Sequence, residues 1–91
     1  MAFLQTDLQR EVATLLVEAL NLEIAADAID PQAPLYGEGL GLDSIDVLEL
    51  VIEIERTFGA KIEDERTGMT VLRSVDTIAE FITRHRETSP A

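Results

Sequence analysis

The sequence lacks several features, and each absence excludes a class of function. It has no cysteine, which excludes disulfide bonds and thiolate metal sites and fits an intracellular setting. It has no tryptophan and only 4% aromatic residues, so the core must be aliphatic. No apolar run reaches the roughly 18 residues of a membrane span. The opening "MAFLQTDLQREV" has no signal-peptide pattern. We therefore expect a cytoplasmic protein without membrane insertion.

Basic residues are also scarce. Eighteen Asp and Glu stand against seven Lys and Arg, which gives a formal net charge of −11. Such a surface repels nucleic acid and anionic lipid, and it favours partners with basic patches. Nine acidic residues lie between Glu38 and Glu65, where only Arg56 and Lys61 oppose them. Solubility alone is the alternative explanation, but this uneven distribution favours recognition of a partner.

The chain has 91 residues, a length that suits one small domain, 1–91. Its apolar residues recur mainly at helical spacing. Apolar spacing predicts a first helix over about 4–20, capped by Thr6 or Asp7. A second helix should run from Ser44 to Phe58 and stop at Gly59. The stretch "AKIEDERTGMTVL" offers a short third helix that Gly68 weakens.

The ends of the last helix and the long first connection complete the predicted fold. Ser74 can cap a last helix over about 75–86, followed by a frayed tail, 87–91. Proline and glycine make 21–43 a loop, and its apolar residues predict that it packs onto the helices: Ile24, Ile29, Leu35, Tyr36, Leu40 and Leu42. The sequence thus predicts an all-α fold, a small four-helix bundle with three main helices, a short third helix and an ordered core over about 4–86.

The second helix carries three kinds of residue on different faces. At about 100° per residue, one stripe is apolar and should be buried: Val47, Leu50, Val51, Ile54 and Phe58. Asp46, Glu49 and Glu53 form an acidic ridge on the opposite side. Ile45 and Ile52 lie beside this ridge, where they suit a docking surface for a basic partner. The alternative is that the loop or the last helix covers both isoleucines as part of the core.

The stretch "GLGLDSIDVLEL" places Ser44 at the start of that helix. Asp43 is a plausible N-cap, and Asp46 forms a box-like pair with it. A phosphate on Ser44 would lie at the positive end of the helix, where free backbone N–H groups could meet it. The two aspartates oppose that second negative charge. Physical chemistry therefore permits attachment at Ser44 without requiring it.

Catalytic motifs are absent. The only histidine, His85, lies in the last helix, and "LDSID" is not the G-x-S-x-G elbow of a hydrolase. "GEGLG" is not a nucleotide-binding G-x-G-x-x-G loop, and no EF-hand loop occurs. We expect no catalytic residues and no metal site.

The stretch "GLGLDSIDVLELVIEIERTFGAKI" resembles the core of acyl carrier proteins, whose signature is Asp-Ser-Leu or Asp-Ser-Ile at the start of the second helix. The resemblance covers most of the chain and is strengthened by the "KIEDE" that follows. It implies that Ser44 is the attachment point of 4′-phosphopantetheine, which a transferase takes from coenzyme A with magnesium. Asp43 would complete the motif and aid recognition by that transferase. The acyl cargo would be carried as a thioester on the cofactor's thiol.

The resemblance also implies two surfaces. Four carboxylates would form the face that basic patches on partner enzymes recognise, with Ile45 and Ile52 making apolar contact: Asp46, Glu49, Glu53 and Glu55. An interior pocket would shelter the acyl chain: Val47, Leu50, Val51, Ile54, Ile62 and Leu72. The implied partners are the phosphopantetheinyl transferase and the acyl-activating, condensing and modifying enzymes. The carrier itself would be a monomer and not an enzyme.

Two departures from the common fatty-acid carriers concern the cargo. The segment 63–74 is about two residues longer and contains "RTGMT". "LYGEGLGLDS" looks more like discrete, stand-alone carriers of specialised lipid or polyketide-like pathways. Two alternatives stay open at this point: an aminoacyl or peptidyl carrier, and an unmodified acidic helical adaptor that docks a basic partner.

Overall fold

The computed structural model describes residues 4–35 and 41–88. These residues form four α-helices: α1 (Asp7–Leu20), α2 (Ser44–Phe58), α3 (Glu65–Val71) and α4 (Val75–Thr88). A 3-10 turn, Ala26–Ala28, interrupts the first connection. Over the same residues the only β-type pairing is an isolated bridge at Leu42. The predicted all-α fold with a short third helix is confirmed.

The start of α1 is set by a capping residue and not by the apolar periodicity. Thr6 Oγ1 accepts the N–H of Gln9 at 3.1 Å, and Gln9 Oε1 accepts the N–H of Thr6 at 3.0 Å. This capping box confirms Thr6 as the N-cap. Leu4 continues the apolar spacing but is 98% exposed ahead of the cap. The predicted helix start at residue 4 is therefore wrong by three residues.

Capping residues also set the ends of the other helices. Gly59 follows α2 with φ +70° and donates its N–H to the carbonyl of Glu55 at 2.9 Å, as predicted. Ser74 Oγ accepts the N–H of Thr77 at 3.2 Å and caps α4, also as predicted. However, α4 continues to Thr88, two residues beyond its predicted end at about residue 86 and into the segment predicted as a frayed tail. The rest of that tail, 89–91, lies outside the described residues.

The core lies where α1 packs against α2 and α4, and where α3 packs against the same two helices. Its completely buried side chains are aliphatic, as expected for a chain without tryptophan: Val12, Leu50, Ile54, Leu72, Val75, Ile78 and Ile82. None of the described helices is long and apolar enough to cross a membrane.

The first connection is held onto the bundle by hydrogen bonds. Gln5 Nε2 donates to the carbonyls of Ala26 and Ile29 at 3.0 and 2.9 Å. The N–H of Leu35 donates to the carbonyl of Arg73 at 2.8 Å, and the carbonyl of Leu35 accepts the N–H of Leu42 at 3.0 Å. The prediction that this loop packs down is confirmed for its buried residues: Ile29, Leu35 and Leu42. The predicted contacts of Tyr36 and Leu40 lie outside the described residues. These bonds place the chain directly ahead of α2.

Candidate functional site

Two aspartates build the N-terminus of α2. Asp43 Oδ1 accepts the N–H groups of Ile45 and Asp46, both at 3.0 Å. Asp46 Oδ2 accepts the N–H of Asp43 in return at 3.2 Å. The predicted N-cap and its box-like partner are both confirmed. The helix start is therefore closed without any contribution from the side chain of Ser44.

Ser44 is exposed as the first residue of α2. Within the part of the chain that the structure describes, no hydrogen bond involves its hydroxyl. Ser74, the other described serine, is buried, and its hydroxyl is held by Thr77. Of these two serines, only Ser44 presents an accessible and unengaged nucleophile.

The expectation that free N–H groups would meet a phosphate on Ser44 is wrong in one respect. The N–H groups of Ile45 and Asp46 are already bound to Asp43. A phosphate there would gain the favourable field of the helix N-terminus, but those two donors are taken. These two N–H groups therefore do not hold a group attached to Ser44 against the helix end.

An apolar groove begins at Ser44 and runs between α2 and α3. Its volume is about 450 Å³. The lining combines three residues of the predicted pocket with six others: Val47, Val51 and Ile62, then Ser44, Leu48, Glu63, Asp64, Gly68 and Met69. The remaining predicted pocket residues, Leu50, Ile54 and Leu72, are completely buried and do not line this groove. Their side chains belong to the core between the helices.

Sequence reasoning missed Leu48, Gly68 and Met69. Leu48 falls at about 40° on the helix when Ser44 is at zero, next to the edge of the buried stripe. That position could have suggested a partly exposed side chain at the edge of the groove. Leu48 is in fact 62% exposed and lines the groove. Gly68 and Met69 could not be found in this way, because their role depends on how α3 packs against α2.

Two carboxylates, those of Glu63 and Asp64, line the groove on its α3 side. Asp64 is the N-cap of α3 and accepts the N–H of Thr67 at 2.7 Å. This backbone hydrogen bond, with a further one from the Thr67 side chain, lowers the pKa of Asp64 from its ordinary value of 3.8. The lowered pKa keeps Asp64 negatively charged at neutral pH, at the edge of a groove whose lining is mainly apolar.

The outer face of α2 is apolar and acidic at once. Ile45 is 72% exposed and Ile52 is 47% exposed, so the alternative that they belong to the core is wrong. Glu49 is exposed, whereas Asp46 and Glu53 are partly covered. Glu53 pairs with Arg56 at 3.5 Å. We define the α2 face as four exposed and two partly covered residues of this helix: Ile45, Leu48, Glu49 and Ile52, with Asp46 and Glu53.

Glu55 does not belong to that ridge. It lies about 160° around the helix from Glu53, four residues after Val51 and therefore on the groove side. Its carboxylate is exposed. In the described residues, no group of three or more His, Asp or Glu side chains is placed to hold a metal ion.

Comparison with known proteins identifies the family. A family model described as the phosphopantetheine attachment site matches residues 10–82. An acyl carrier protein of Onion yellows phytoplasma is 33% identical over 75 residues, which cover 82% of this chain and 92% of the relative. The chain belongs to the acyl carrier protein family.

Two further acyl carrier proteins support this membership. The protein of Helicobacter pylori is 32% identical over 72 residues, covering 79% of this chain and 86% of its own. The protein of Rickettsia bellii is 25% identical over 80 residues, which cover 88% of this chain and 87% of the relative. Members of the family are carriers with a covalently attached 4′-phosphopantetheine group and are not catalysts. The expected family, cofactor and non-enzymatic role are therefore confirmed.

Proposed function

We propose that Ser44 is the residue that carries 4′-phosphopantetheine and that the α2–α3 groove receives the acyl cargo. The observation that carries this proposal is the exposed hydroxyl of Ser44, which has no hydrogen-bond partner among the described residues and lies at the edge of an apolar groove. Ser74 offers no comparable group, because it is buried and caps α4. Family membership supplies the cofactor, and the local geometry supports Ser44 as its attachment point.

The residues around Ser44 fit the attached group. When bound, the 4′-phosphopantetheine group supplies a thiol on which the acyl chain is held as a thioester. Asp43 and Asp46 fix the first turn of α2, so the Ser44 hydroxyl is presented on a rigid helix end. Because Asp43 accepts the N–H groups of Ile45 and Asp46, these two donors do not draw the phosphate back onto the helix. Asp43 would then serve the transferase mainly by holding this geometry.

The groove supports an apolar cargo. Val47, Val51 and Ile62 line it with aliphatic side chains. Its volume of about 450 Å³ lies within the usual range of small-molecule pockets, about 300–1,000 Å³. Burying a methylene group there contributes about 0.8 kcal/mol. The carboxylates of Glu63 and Asp64 at the opening disfavour a cargo with its own negative charge.

The α2 face supports docking of basic enzyme surfaces. It combines three exposed aliphatic side chains, Ile45, Leu48 and Ile52, with the carboxylate of Glu49. Exposed apolar residues rimmed by charge are typical of protein interfaces. The partners would be the phosphopantetheinyl transferase and the acyl-activating, condensing and modifying enzymes of fatty-acid, specialised lipid or polyketide-like biosynthesis. The single-domain boundaries, the monomeric state and the cytoplasmic location stay predictions.

Intact-protein mass tests the proposal. The parent and the Ser44→Ala variant are incubated with coenzyme A, magnesium and a broad-specificity phosphopantetheinyl transferase. We expect the parent to gain one phosphopantetheine and the variant to gain none. Circular dichroism of the variant provides the control for folding. An equal gain in both proteins would assign the group to another residue.

A further inference from the structure

Gly68 occupies the middle of α3, and the backbone there does not require glycine. Its φ lies outside the left-handed region, unlike that of Gly59. A helix with an internal glycine is less stable than one with alanine at the same position, because glycine loses more conformational freedom on folding. This loss of stability matters more in a helix of seven residues, such as α3, than in a long helix. Gly68 therefore needs an explanation other than helix geometry.

The space beside Gly68 supplies that explanation. A Cβ atom at this position would lie 3.5 Å from Cγ2 of Ile62 and 3.8 Å from Cγ2 of Val51. Both distances are ordinary van der Waals contacts, so alanine would fit without a clash. Gly68, Val51 and Ile62 all line the groove that begins at Ser44. A side chain at position 68 would thus project into the groove and contact two of its lining residues, Val51 and Ile62.

We propose that Gly68 is a specificity-determining residue that sets how long an acyl chain the groove accepts. This inference rests on the proposed function, because it concerns the cargo carried from Ser44. Leu48 and Met69 are both substantially exposed and line the outer part of the groove. Gly68 is buried, so it forms the inner wall. The absence of its side chain leaves room for the distal carbons of a chain.

The test compares acyl-chain length with thermal stability. The parent, Gly68→Ala and Gly68→Leu are loaded by the transferase with butanoyl-, octanoyl- or dodecanoyl-phosphopantetheine from the matching acyl-coenzyme A, which releases the nucleotide part of coenzyme A. Unfolding is followed by circular dichroism. An acyl chain that binds the folded state raises its melting temperature. We expect this temperature to rise with chain length in the parent. Gly68→Ala should keep the octanoyl gain and lose part of the dodecanoyl gain, and Gly68→Leu should lose the dependence on length.

The matched control is Thr70→Ala in the same helix. Thr70 is exposed and does not line the groove, so this change raises helix propensity and removes one exposed hydrogen bond, from Thr70 Oγ1 to the carbonyl of Arg66, without altering the groove. The unloaded Gly68→Ala protein should melt about 2–8 °C above the parent. Thr70→Ala should keep all the acyl-dependent gains of the parent.

The outcomes separate the two proposals. If intact mass shows no loading of the parent, the proposed function fails and this inference fails with it. If the parent is loaded but its melting temperature is independent of chain length, the inference alone is overturned. The same follows if Gly68→Ala and the parent show equal gains with dodecanoyl.

Discussion

Asp43 and Asp46 each accept a hydrogen bond from the backbone N–H of the other, at 3.0 Å to Asp43 Oδ1 and 3.2 Å to Asp46 Oδ2. This reciprocal pair caps α2, and Ser44 and Ile45 lie between the two aspartates in the sequence. The stability of the helix start therefore comes from the aspartates, and the hydroxyl of Ser44 is available for chemistry. The capping role of the aspartates and the proposed modification of Ser44 thus fall on neighbouring residues.

This division predicts different effects at positions 43 and 44. Asp43→Ala should lower the free energy of unfolding by about 1 kcal/mol, because two N–H groups lose their acceptor. Ser44→Ala should leave it within about 0.5 kcal/mol of the parent. Urea denaturation followed by circular dichroism measures both. Asp43→Asn is the control, because asparagine retains the capping oxygen. A loss at Ser44 as large as that at Asp43 would show that Ser44 itself caps the helix.

Asp64 makes the start of α3 sensitive to acid. Its pKa is lowered in the folded state by the hydrogen bonds from Thr67, so its stabilising effect is fully present above the ordinary value of 3.8. The effect is lost as the pH falls below 3.8 through the folded pKa. Asp64→Asn retains an acceptor but does not titrate. We expect the parent to be the more stable of the two at neutral pH and this difference to shrink below about pH 4.

Urea denaturation of both proteins across this pH range measures the difference. Glu63→Gln removes a neighbouring carboxylate that caps no helix and is the matched control. A stability difference between the parent and Asp64→Asn that is constant with pH would contradict the assignment.

The α2 face predicts a charge-specific loss of transferase recognition. Glu49→Lys should lower kcat/KM of the phosphopantetheinyl transferase for the carrier about tenfold, because it places a positive charge against a basic partner. Glu18→Lys, on the exposed surface of α1, changes the net charge equally and should have a much smaller effect. Equal losses in the two variants would indicate general attraction by net charge and no specific face.

Burial predicts opposite consequences for two leucines of α2. Leu50 is completely buried, and Leu50→Ala should lower the free energy of unfolding by about 2–5 kcal/mol. Leu48 is largely exposed, and Leu48→Ala should change it by no more than about 0.5 kcal/mol. The same alanine at position 48 should weaken transferase recognition, since Leu48 belongs to the α2 face. Denaturation and steady-state kinetics on the two variants separate core from surface.

Helix limits were largely predictable because their signals are local. Ser44–Phe58 follows from Asp43 before it and Gly59 after it. The first helix shows the limit of apolar periodicity, since Leu4 has the right spacing but stands outside the Thr6 cap. A capping box is decided by hydrogen bonds over three residues, and it outweighs one more apolar side chain.

The groove was only partly predictable because it depends on tertiary packing. Val47, Leu50, Val51 and Ile54 share one apolar stripe, and helical spacing alone does not separate them. Packing buries Leu50 and Ile54 completely, while Val47 and Val51 line the groove. The role of Gly68 requires the position of α3 relative to Val51, which no local pattern encodes.

The most direct test of the central claim is to locate the attached group within the chain. Trypsin cleavage after Arg10 and Arg56 yields the peptide 11–56, in which Ser44 is the only serine. After treatment with coenzyme A and the transferase, tandem mass spectrometry of the peptides should find phosphopantetheine on this peptide, with the fragment ions assigning it to Ser44. Its detection on the peptide containing Ser74, or the absence of any modified peptide from the folded protein, would contradict the account.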